Sequence, residues 1–478
     1  MNFTSYEFVL FFAVILLVRS CLPNFGAEKW WLLAASCLFY MTWSVPCLLL
    51  ILFTAVLDYS VGHRLGQITD PVSRRRLLVM SLVLNLGLLG FFKYANFFLE
   101  NIGAALNVLG CHVGPWHCHT ILPPAISFYT FASLSYVLDV YYERMPACNS
   151  LRDYTLFITF FPKLLSGPIV RARELLPQFE HRVRASAEDV EIGLAYFLIG
   201  AVKKLVIADQ VAPHVNLIFS APAEYDGLTL LTGALGYAVQ IYCDFSGYTD
   251  MAIGCGRIMG YRFPDNFKMP YSSENITEFW RRWHITLSQW FRDYLFLPLE
   301  IATRSNPSPM LRVSVNMMIT MLLCGLWHGA SWTFVVWGGI HGAALAAHKV
   351  WTTRNPLASL ENYRWFQLLW GGFSHVLTLG VVVLSLVFFR AQSVRDAAIF
   401  LGRTFSWSHD GTRLISPYIM SALVALFLVH LLVKKDRNLA EEMPGVSLFP
   451  RIVGYASLLF LLVVLGATDS AAFIYFQF

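Results

Sequence analysis

The sequence predicts an all-α polytopic membrane protein, and three observations lead to that prediction. Hydrophobic residues make up 56% of the 478 residues, and the mean hydropathy is +0.55. Charged residues make up only 14%, whereas a soluble globular chain carries about 25%. Apolar runs also recur along the whole chain, many of them near the length of about 20 residues that a membrane-spanning helix needs.

The same composition excludes several classes of protein. The apolar content is too high for intrinsic disorder. The net charge is only +5, and no block rich in Lys and Arg with interleaved aromatic residues suggests nucleic-acid binding. The longest predicted loops hold about 20 residues, too few for a soluble catalytic domain. We therefore predict a single integral-membrane domain over residues 1–478, with any chemistry inside the helical bundle or at its mouths.

The apolar runs, taken in order, predict about 11 transmembrane helices. The candidate segments are 5–22, 30–44, 46–62, 77–99, 121–142, 192–208, 228–250, 313–328, 332–348, 367–389, 417–433 and 450–468. Segments 30–44 and 313–328 are short for a full crossing. The first segment lacks a preceding positive charge and a small-residue cleavage site, so we expect a retained span rather than a signal peptide.

Residues 154–170 are apolar but interrupted, which predicts a re-entrant element. Pro162, Gly167 and Pro168 break the run. Broken backbone at membrane depth is tolerated only where it is buried in protein or lines a cavity. We therefore expect this segment to dip into the membrane and return on the same side.

Positive charges orient the chain. Three clusters predict cytoplasmic segments, namely Arg64 with Arg74, Arg75 and Arg76; Arg171, Arg173, Arg182 and Arg184; and Lys434, Lys435 and Arg437. Segments 100–120 and 209–227 contain no Lys or Arg and are predicted outside. Segment 390–413 is placed outside by parity yet carries four arginines, so either it forms an interfacial helix or the parity fails there.

The segment 263–299 predicts an amphipathic helix rich in Trp and Arg. Asn275 followed by Glu278 has the spacing of a capping box, which marks a helix start. One apolar stripe contains Trp280, Trp283, Leu287, Trp290 and Tyr294, and polar residues including Arg281, Arg282 and Arg292 cover the other side. Such a helix lies along an interface or lines a water-filled entrance. His284 flanks the stripe and is interpreted either as a hydrogen-bonded residue or as a functional one.

The segment 322–342 places a second histidine between apolar runs. His328 is followed by Gly329 and Ala330, whose small side chains would let a substrate approach. An imidazole inside an apolar bundle costs free energy, so it usually pairs or has a function. His341 and His348 follow at a spacing of seven, on one helix face, where packing and hydrogen bonding are the favoured interpretation.

Three further groups of polar residues have open interpretations. Asp244 and Asp250 lie in an apolar stretch, either pairing helices or lining a polar tunnel. Lys163 either faces an anionic cytosolic ligand or extends to the interface while its stem stays apolar. The cluster from Cys111 to His119 is compatible with a disulfide or a metal, although its ligand spacing matches no standard zinc pattern.

Common catalytic motifs are missing from the chain. It contains neither a His-Glu-x-x-His zinc motif nor a phosphate-binding Gly-x4-Gly-Lys-Ser/Thr loop. Ser246 is not framed as Gly-x-Ser-x-Gly, so a nucleophile elbow is not supported.

Six motifs together give a specific resemblance to a known family. They are Ile126–Tyr129, FFPKLLSGPIVR at 160–171, DFSGYTDMAIG at 244–254, TEFWRRWHITLS at 277–288, GLWHGASW at 325–332 and FIYFQF at 473–478. With them the chain resembles the membrane-bound O-acyltransferases along nearly its whole length. It is most similar to the bacterial branch typified by the membrane subunit of alginate O-acetylation.

This resemblance implies an architecture and an activity. It implies many spans with re-entrant and interfacial helices around a central tunnel, in the inner membrane of a bacterium. Acetyl-CoA would serve as the acyl donor from the cytoplasm, with no bound cofactor and no metal. A partner acetyltransferase outside would pass the acetyl group to a secreted or cell-wall polysaccharide such as alginate. The family's catalytic histidine maps onto His328, and its second polar position onto His284.

The predicted chemistry assigns roles to these residues. Acyl transfer from a thioester to a hydroxyl needs a base, for which His328 is the candidate, and donors for the developing oxyanion. His284 would hydrogen-bond the thioester carbonyl or orient the donor. The predicted coenzyme A phosphate ligands are Arg281, Arg282, Lys268 and Lys163, and the predicted tunnel-lining residues are Trp280, Trp327, Asp244 and Ser288. The aromatic segment 473–478 would form either a docking surface or an interfacial aromatic belt.

Two observations leave alternatives open. Family members usually carry a Gly-Gly-Asn-Arg-like turn after the Trp/Arg helix, whereas residues 299–307 here read LEIATRSNP, so the subfamily and its polymer stay open. An alternative enzyme takes its acyl group from a carrier protein, as in D-alanylation of teichoic acids. One alternative from another class is a scaffold for an envelope complex. Another is a transporter or polymer-export channel, which broken helices and intramembrane charges would suit.

Overall fold

The computed structural model describes residues 1–478 except 115, 119–121, 166, 306, 361, 434, 468–473 and 475–478. Within these residues the chain is helical, and no strand is present beyond one isolated bridge between Tyr225 and Thr412. The predicted all-α class is therefore confirmed. Contacts divide the chain into two compact units. The first unit contains Met1–Phe197 and Asp250–Pro264, and the second contains Leu198–Thr249 and Asp265–Phe478.

Nine helices are described before residue 202. They are α1 (Tyr6–Cys21), α2 (Phe25–Met41), α3 (Val45–Leu65), α4 (Pro71–Val108), α5 (Ile126–Tyr141), α6 (Leu151–Thr159), α7 (Phe161–Leu164), α8 (Ala172–Leu175) and α9 (Ala187–Ala201). A 3₁₀ turn at Leu176–Phe179 follows α8. The last four residues of α9 belong to the second unit.

The later helices begin with α10. They are α10 (Asp209–Ser220), α11 (Gly227–Ile258), α12 (Ile276–Arg282), α13 (Ile285–Phe291), α14 (Leu297–Ala302), α15 (Pro309–His328), α16 (Trp332–Arg354), α17 (Arg364–Arg390), α18 (Val394–Phe405), α19 (Pro417–Leu432), α20 (Leu439–Glu442) and α21 (Leu448–Leu465). Two π-helical stretches, Val202–Ala208 and Arg292–Phe296, and four 3₁₀ turns, Pro222–Glu224, Pro270–Ser272, Ala358–Leu360 and Met443–Gly445, complete the helical structure. The end of α11, from Asp250, belongs to the first unit.

Among the described residues, five helices are long and apolar enough to cross a membrane, as a polytopic membrane protein requires. They are α3, α4, α15, α17 and α21. Each of the other predicted segments also contains a helix, including the short α2. The prediction of about 11 transmembrane helices stays a prediction, because several of these helices are shorter than a full crossing needs.

The first unit packs α3 against α4, α5 and α6 around a buried carboxylate. Asp58 on α3 is fully buried and accepts hydrogen bonds from Ser81 and Asn85 of α4 and from Ser133 of α5. Buried polar groups of this kind require such partners, since an unsatisfied carboxylate in an apolar interior is costly. The Asp58 cluster therefore fixes how these three helices meet.

The predicted re-entrant segment is broken and buried, as expected. The break comes at Phe160, and α6 and α7 on either side are only nine and four residues long. Described residues from Tyr154 to Val170 are buried within the protein. A Cβ at Gly167 would lie 2.7 Å from the Cα of Lys163, so the chain turns back tightly at this glycine. The depth of this segment in the membrane stays a prediction.

In the second unit, α15 and α16 form a closely packed helical hairpin. A Cβ at Gly325 would lie 2.2 Å from the carbonyl oxygen of Phe334, and one at Gly338 would lie 2.3 Å from that of Met321. Small residues allow helix backbones to approach in this way. The α16 helix also packs against α12 and α17, so four helices meet along the hairpin.

The segment 390–413 contains the amphipathic helix α18, which agrees with the interfacial-helix alternative. Arginines of this segment form contacts within the second unit: Arg403 donates to the carbonyl oxygen of Tyr225 at 3.0 Å, and Arg413 pairs with Asp226 at 2.7 Å. Arg390 donates to the side-chain oxygen of Asn216 at 2.7 Å. These contacts explain why positive charge accumulates there without requiring a cytoplasmic position.

Candidate active site

A narrow cavity in the second unit contains two imidazoles. Its lining residues come from α11, the 3₁₀ turn at 270–272, α12, α15, α16 and α17: Ile241, Tyr271, Phe279, Trp283, His328, Trp337, His341, Val382, Leu386 and Phe389. Its volume is about 10 Å³, which is room for about one water molecule. None of these lining residues is a carboxylate. Among these described lining residues, the two histidines are therefore the only titratable groups besides the Tyr271 phenol, whose hydroxyl donates to the carbonyl oxygen of Ala238.

His328, the predicted base, is held by aromatic rings. It is the last residue of α15 and is 3% exposed. Its ring contacts Trp327, Trp337 and Phe389 edge to face, with centroids 5.0, 5.0 and 5.1 Å away. The expectation that Gly329 leaves room for a substrate is wrong, because a Cβ there would lie 2.1 Å from the Phe334 ring. That glycine makes room for Phe334.

His341 lies in the same cavity, although its pattern favoured a packing role. It is on α16 and is 1% exposed, and its Nε2 lies 2.9 Å from the Ser385 hydroxyl of α17. Its ring centroid is 4.7 Å from that of Trp337 and 5.2 Å from that of Trp280. His348, which shares its helix face, is half-buried outside the cavity and bonds Thr277 at 2.9 Å. The sequence signal that could have located His341 in the site was the set of glycines around it (Gly338, Gly339 and Gly342), which marks a closely packed helix face.

The predicted Trp/Arg helix starts where expected but is not one helix. Asn275 caps α12 by accepting from the Glu278 N–H at 2.8 Å. The second half of the predicted capping box differs, because the Glu278 carboxylate accepts from the N–H of Glu274. The prediction of a continuous helix is wrong, since it breaks between α12 and α13, where His284 adopts the left-handed region with φ 41°.

Asn266 stabilises this break from a distant part of the chain. Its backbone carbonyl accepts from the N–H of Ile285 at 2.9 Å, and its side-chain oxygen accepts from the N–H and hydroxyl of Thr286. These acceptors replace the carbonyl acceptors that a continuous helix would provide there. The same oxygen lies 3.0 Å from Nδ1 of His284. The break therefore turns the fully buried His284 toward Asn266.

His284 and His328 share one aromatic neighbour. The ring of Trp327 is centred 6.1 Å from that of His284 and 5.0 Å from that of His328. His284 also contacts Phe245 edge to face at 4.7 Å. It does not line the cavity described above. The structure thus brings both predicted histidines against the indole of Trp327, and of the two only His328 lines the cavity.

Of the predicted cationic residues near α12, Arg281 and Lys268 are exposed and Arg282 is half-buried. Arg281 is exposed, and Arg282 pairs with Glu278 at 2.9 Å and with Asp436 at 3.1 Å. Lys268 pairs with Asp265 at 3.1 Å. Burial alone would raise the pKa of Glu278, but the Glu274 N–H and the Arg282 guanidinium hold that pKa below its ordinary value. Arg282 and Lys268 are therefore already paired with carboxylates.

Lys163 lies in the first unit. It is on α7, is 5% exposed, and places its Nζ 4.6 Å from the centroid of the Phe157 ring. Together with Tyr129 and Pro168 it lines a cavity of about 10 Å³. It does not extend to an interface, so the snorkelling alternative is not what the structure describes.

Asp244 belongs to a buried ionic triad. Lys204 of the π-helical stretch lies 2.6 Å from Asp244 and 2.7 Å from Asp209, and all three side chains are buried. The N–H of Ile474 donates to the second carboxylate oxygen of Asp244 at 2.9 Å. This arrangement agrees with the helix-pairing interpretation. Sequence reasoning missed Lys204, because its partner carboxylate on α11 is 40 residues away.

The remaining predicted site residues lie around the cavity or outside the described chain. Trp280 packs against Trp337 and His341 beside the cavity. Ser288 is half-buried and donates to the carbonyl oxygen of Trp283 at 3.3 Å, without lining the cavity. In the aromatic segment 473–478 only Ile474 is among the described residues, so the docking prediction for that segment lies outside them.

The Cys111–His119 loop is also only partly described. Cys111 and Cys118 are free thiols, so no disulfide joins them. His119 lies outside the described residues. Within the described part of the chain, no three side chains of the metal-binding types His, Cys, Asp and Glu come together.

Comparisons with known proteins agree with the motifs. The model of the membrane-bound O-acyltransferase family matches residues 42–388. The probable alginate O-acetylase AlgI of Azotobacter vinelandii is 39% identical over 409 residues, which cover 85% of this chain and 78% of that protein. The peptidoglycan O-acetyltransferase of Helicobacter pylori is 36% identical over 398 residues, covering 77% and 72%. The teichoic acid D-alanyltransferase of Bacillus subtilis is 28% identical over 246 residues, covering 50% and 61%.

Proposed function

Because the chain belongs to the membrane-bound O-acyltransferase family, we propose that it moves an acetyl group from cytoplasmic acetyl-CoA to a hydroxyl acceptor outside. It is a membrane O-acyltransferase by its family. The observation that carries the proposal is His328, which lies within the family match and is enclosed by aromatic rings in a small cavity. A base in such a place can take a hydroxyl proton without competition from bulk water.

The final acceptor in this proposal is a secreted or cell-wall polysaccharide. Relatives that cover most of the chain are named for O-acetylation of alginate and of peptidoglycan. Because the predicted loops are too short for a soluble domain, a separate transferase outside would receive the acetyl group and place it on the polymer. The protein would work in the inner membrane of a bacterium.

The proposed step has a simple balance of bonds. The acceptor hydroxyl oxygen bonds to the thioester carbonyl carbon, and the carbon–sulfur bond of acetyl-CoA breaks. The hydroxyl proton passes to His328 and then to the departing thiolate, which leaves as coenzyme A. The indole N–H of Trp337, 3% exposed and without a hydrogen-bond acceptor among the described residues, is the donor we assign to the developing oxyanion.

His284 takes a different role in this scheme because of its tautomer. The side-chain oxygen of Asn266 accepts from the backbone N–H of Thr286, which fixes the orientation of the Asn266 amide. That oxygen then accepts from Nδ1–H of His284, so the neutral ring presents a lone pair at Nε2. A lone pair cannot donate to a carbonyl oxygen. We therefore assign His284 to orienting the acyl donor.

The cationic residues near α12 supply the proposed binding groups for coenzyme A phosphates. Arg281 is exposed and has no ion pair among the described residues, so its guanidinium is free to bind a phosphate bidentately. Arg282 and Lys268 are already paired with carboxylates and would have to exchange these partners. We therefore place Arg281 first among the proposed phosphate ligands. Lys163 stands as a separate proposal in the first unit.

The alternative donor is an acyl group on a carrier protein. This carrier-protein donor is favoured by the match to the Bacillus subtilis D-alanyltransferase, although that match covers only half of the chain. Membership of an acyltransferase family gives no support to the transporter, export-channel or scaffold alternatives.

The donor experiment uses the full-length protein in proteoliposomes. Radiolabelled acetyl-CoA is supplied on one side, and release of free coenzyme A is followed with and without a soluble hydroxyl acceptor. The proposal predicts coenzyme A release that saturates with acetyl-CoA, with a KM raised several-fold by Arg281→Ala and unchanged by Arg292→Ala, an exposed arginine beyond α13. Turnover of an acyl carrier protein but not of acetyl-CoA would support the alternative instead.

A further inference from the structure

The tautomer of His341 follows from two hydrogen bonds. The Ser385 hydroxyl donates its single hydrogen to the carbonyl oxygen of Val382 at 2.7 Å. Its oxygen is also 2.9 Å from Nε2 of His341. Because the hydroxyl hydrogen is already used, Ser385 accepts from Nε2–H. His341 is therefore held as the Nε2–H tautomer, with a lone pair on Nδ1.

That lone pair belongs to a residue of the reaction cavity. Nδ1 of His341 is buried and makes no hydrogen bond to any described residue. His341 and His328 both line the cavity, and their rings lie 4.7 and 5.0 Å from that of Trp337. An imidazole with one nitrogen held by an oxygen acceptor and the other bare has the arrangement of an oriented general base.

This lone pair can also stabilise the positive charge that the reaction forms in the cavity. When a histidine takes a proton in a buried site, the imidazolium formed requires stabilisation, which a carboxylate supplies in the familiar triads. No described residue of this cavity lining is a carboxylate. The Nδ1 lone pair of His341 is an acceptor that can replace it through the one water molecule for which the cavity has room.

We propose that His341 is a second catalytic residue, which accepts a hydrogen bond from the protonated His328 through one bridging water molecule, and that Ser385 is its positioning residue. This inference rests on the proposed function. The hydroxyl proton moves to His328 as the carbon–oxygen bond forms, and the charge is shared with His341 Nδ1. The proton then passes to the thiolate as the carbon–sulfur bond breaks. His341 thus ends each turnover in its original tautomer, because Ser385 keeps Nε2–H in place.

The test measures kcat, the KM for acetyl-CoA and the thermal unfolding midpoint of the full-length protein. His341→Gln keeps an amide that can bond Ser385 but loses the basic nitrogen, and it should lower kcat about 100-fold. Ser385→Ala should lower kcat about tenfold, by one neutral hydrogen bond, and Ser385→Thr should restore most of it. KM should stay within error in all three variants, whereas the unfolding midpoint of Ser385→Ala should fall, because the buried Nε2–H of His341 loses its acceptor. The matched control is His348→Gln, which changes a histidine of the same helix face outside the cavity.

The outcomes separate this inference from the proposed function. An inactive His328→Gln together with a fully active His341→Gln would overturn the inference alone. A fully active His328→Gln would contradict the proposed function. If His341→Gln does not fold, the decision rests on Ser385. A reduced kcat in Ser385→Ala that Ser385→Thr restores supports the inference, and equal kcat in both overturns it.

Discussion

At the scale of single residues, the partner of a side chain decides what that side chain can do. Asn266 holds His284 with Nδ1 protonated, and Ser385 holds His341 with Nε2 protonated. The two imidazoles therefore present different nitrogens. Neither partner was predictable, because Asn266 and Ser385 lie 18 and 44 residues from their histidines and stand in no recognisable motif.

Lys204 provides a prediction about buried charge. Replacing it with Met leaves Asp209 and Asp244 buried without their shared cation, which should destabilise the protein by about 3 to 5 kcal/mol. The thermal unfolding midpoint of the purified protein measures this. The matched control is Lys203→Met, which changes the neighbouring, half-buried lysine. Equal midpoints for both variants would show that the Lys204 triad does not hold these elements together.

Glu278 provides a prediction about pH. Its pKa is lower in the folded protein than its ordinary value, so its stabilising contribution is present above the unfolded pKa of about 4.3. That contribution is lost as the pH falls through the folded pKa. The difference in unfolding midpoint between the wild type and Glu278→Gln should therefore be largest at pH 6 and shrink toward pH 3. A difference that grows on acidification would contradict the assignment.

At the scale of elements, local sequence patterns predicted where helices form but not where one is interrupted. Apolar runs located the long helices and the Asn275 cap marked the start of α12, whereas α10 lies in segment 209–227, for which no helix was predicted. The stripe of Trp280, Trp283 and Leu287 continues through the break at His284, so periodicity alone could not reveal it. The break depends on Asn266, which supplies hydrogen bonds from outside the helix.

The α15–α16 hairpin gives a prediction about close packing. Gly338→Ala places a Cβ 2.3 Å from the Met321 carbonyl oxygen, so the helices must separate. Overpacking of this kind should cost about 1 to 3 kcal/mol, and activity should fall as His328 and His341 shift. The control is Gly380→Ala on α17, where nothing lies within 4 Å of the new Cβ. Thermal unfolding and transferase assays of both variants check the prediction, and equal behaviour would contradict it.

At the scale of the whole molecule, the membrane class and the family could be predicted, whereas the composition of the site could not. Hydrophobic composition predicted a helical membrane protein, and the six motifs predicted the family that the comparisons confirm. The cavity itself gathers residues from Ile241 to Phe389 across several helices. Contacts between residues so far apart in the chain leave no local pattern in the sequence, which explains why His341 was assigned to packing.

In the proposed function, His328 drives acetylation of a polysaccharide outside the cell. The most direct measurement is base-labile acetate on the secreted and envelope polysaccharides of a deletion strain. That strain is complemented with the wild type, with His328→Ala or with His348→Ala, at matched membrane levels. We expect acetate with the wild type and with His348→Ala, and its loss with His328→Ala. Equal acetate in all three strains would contradict the account.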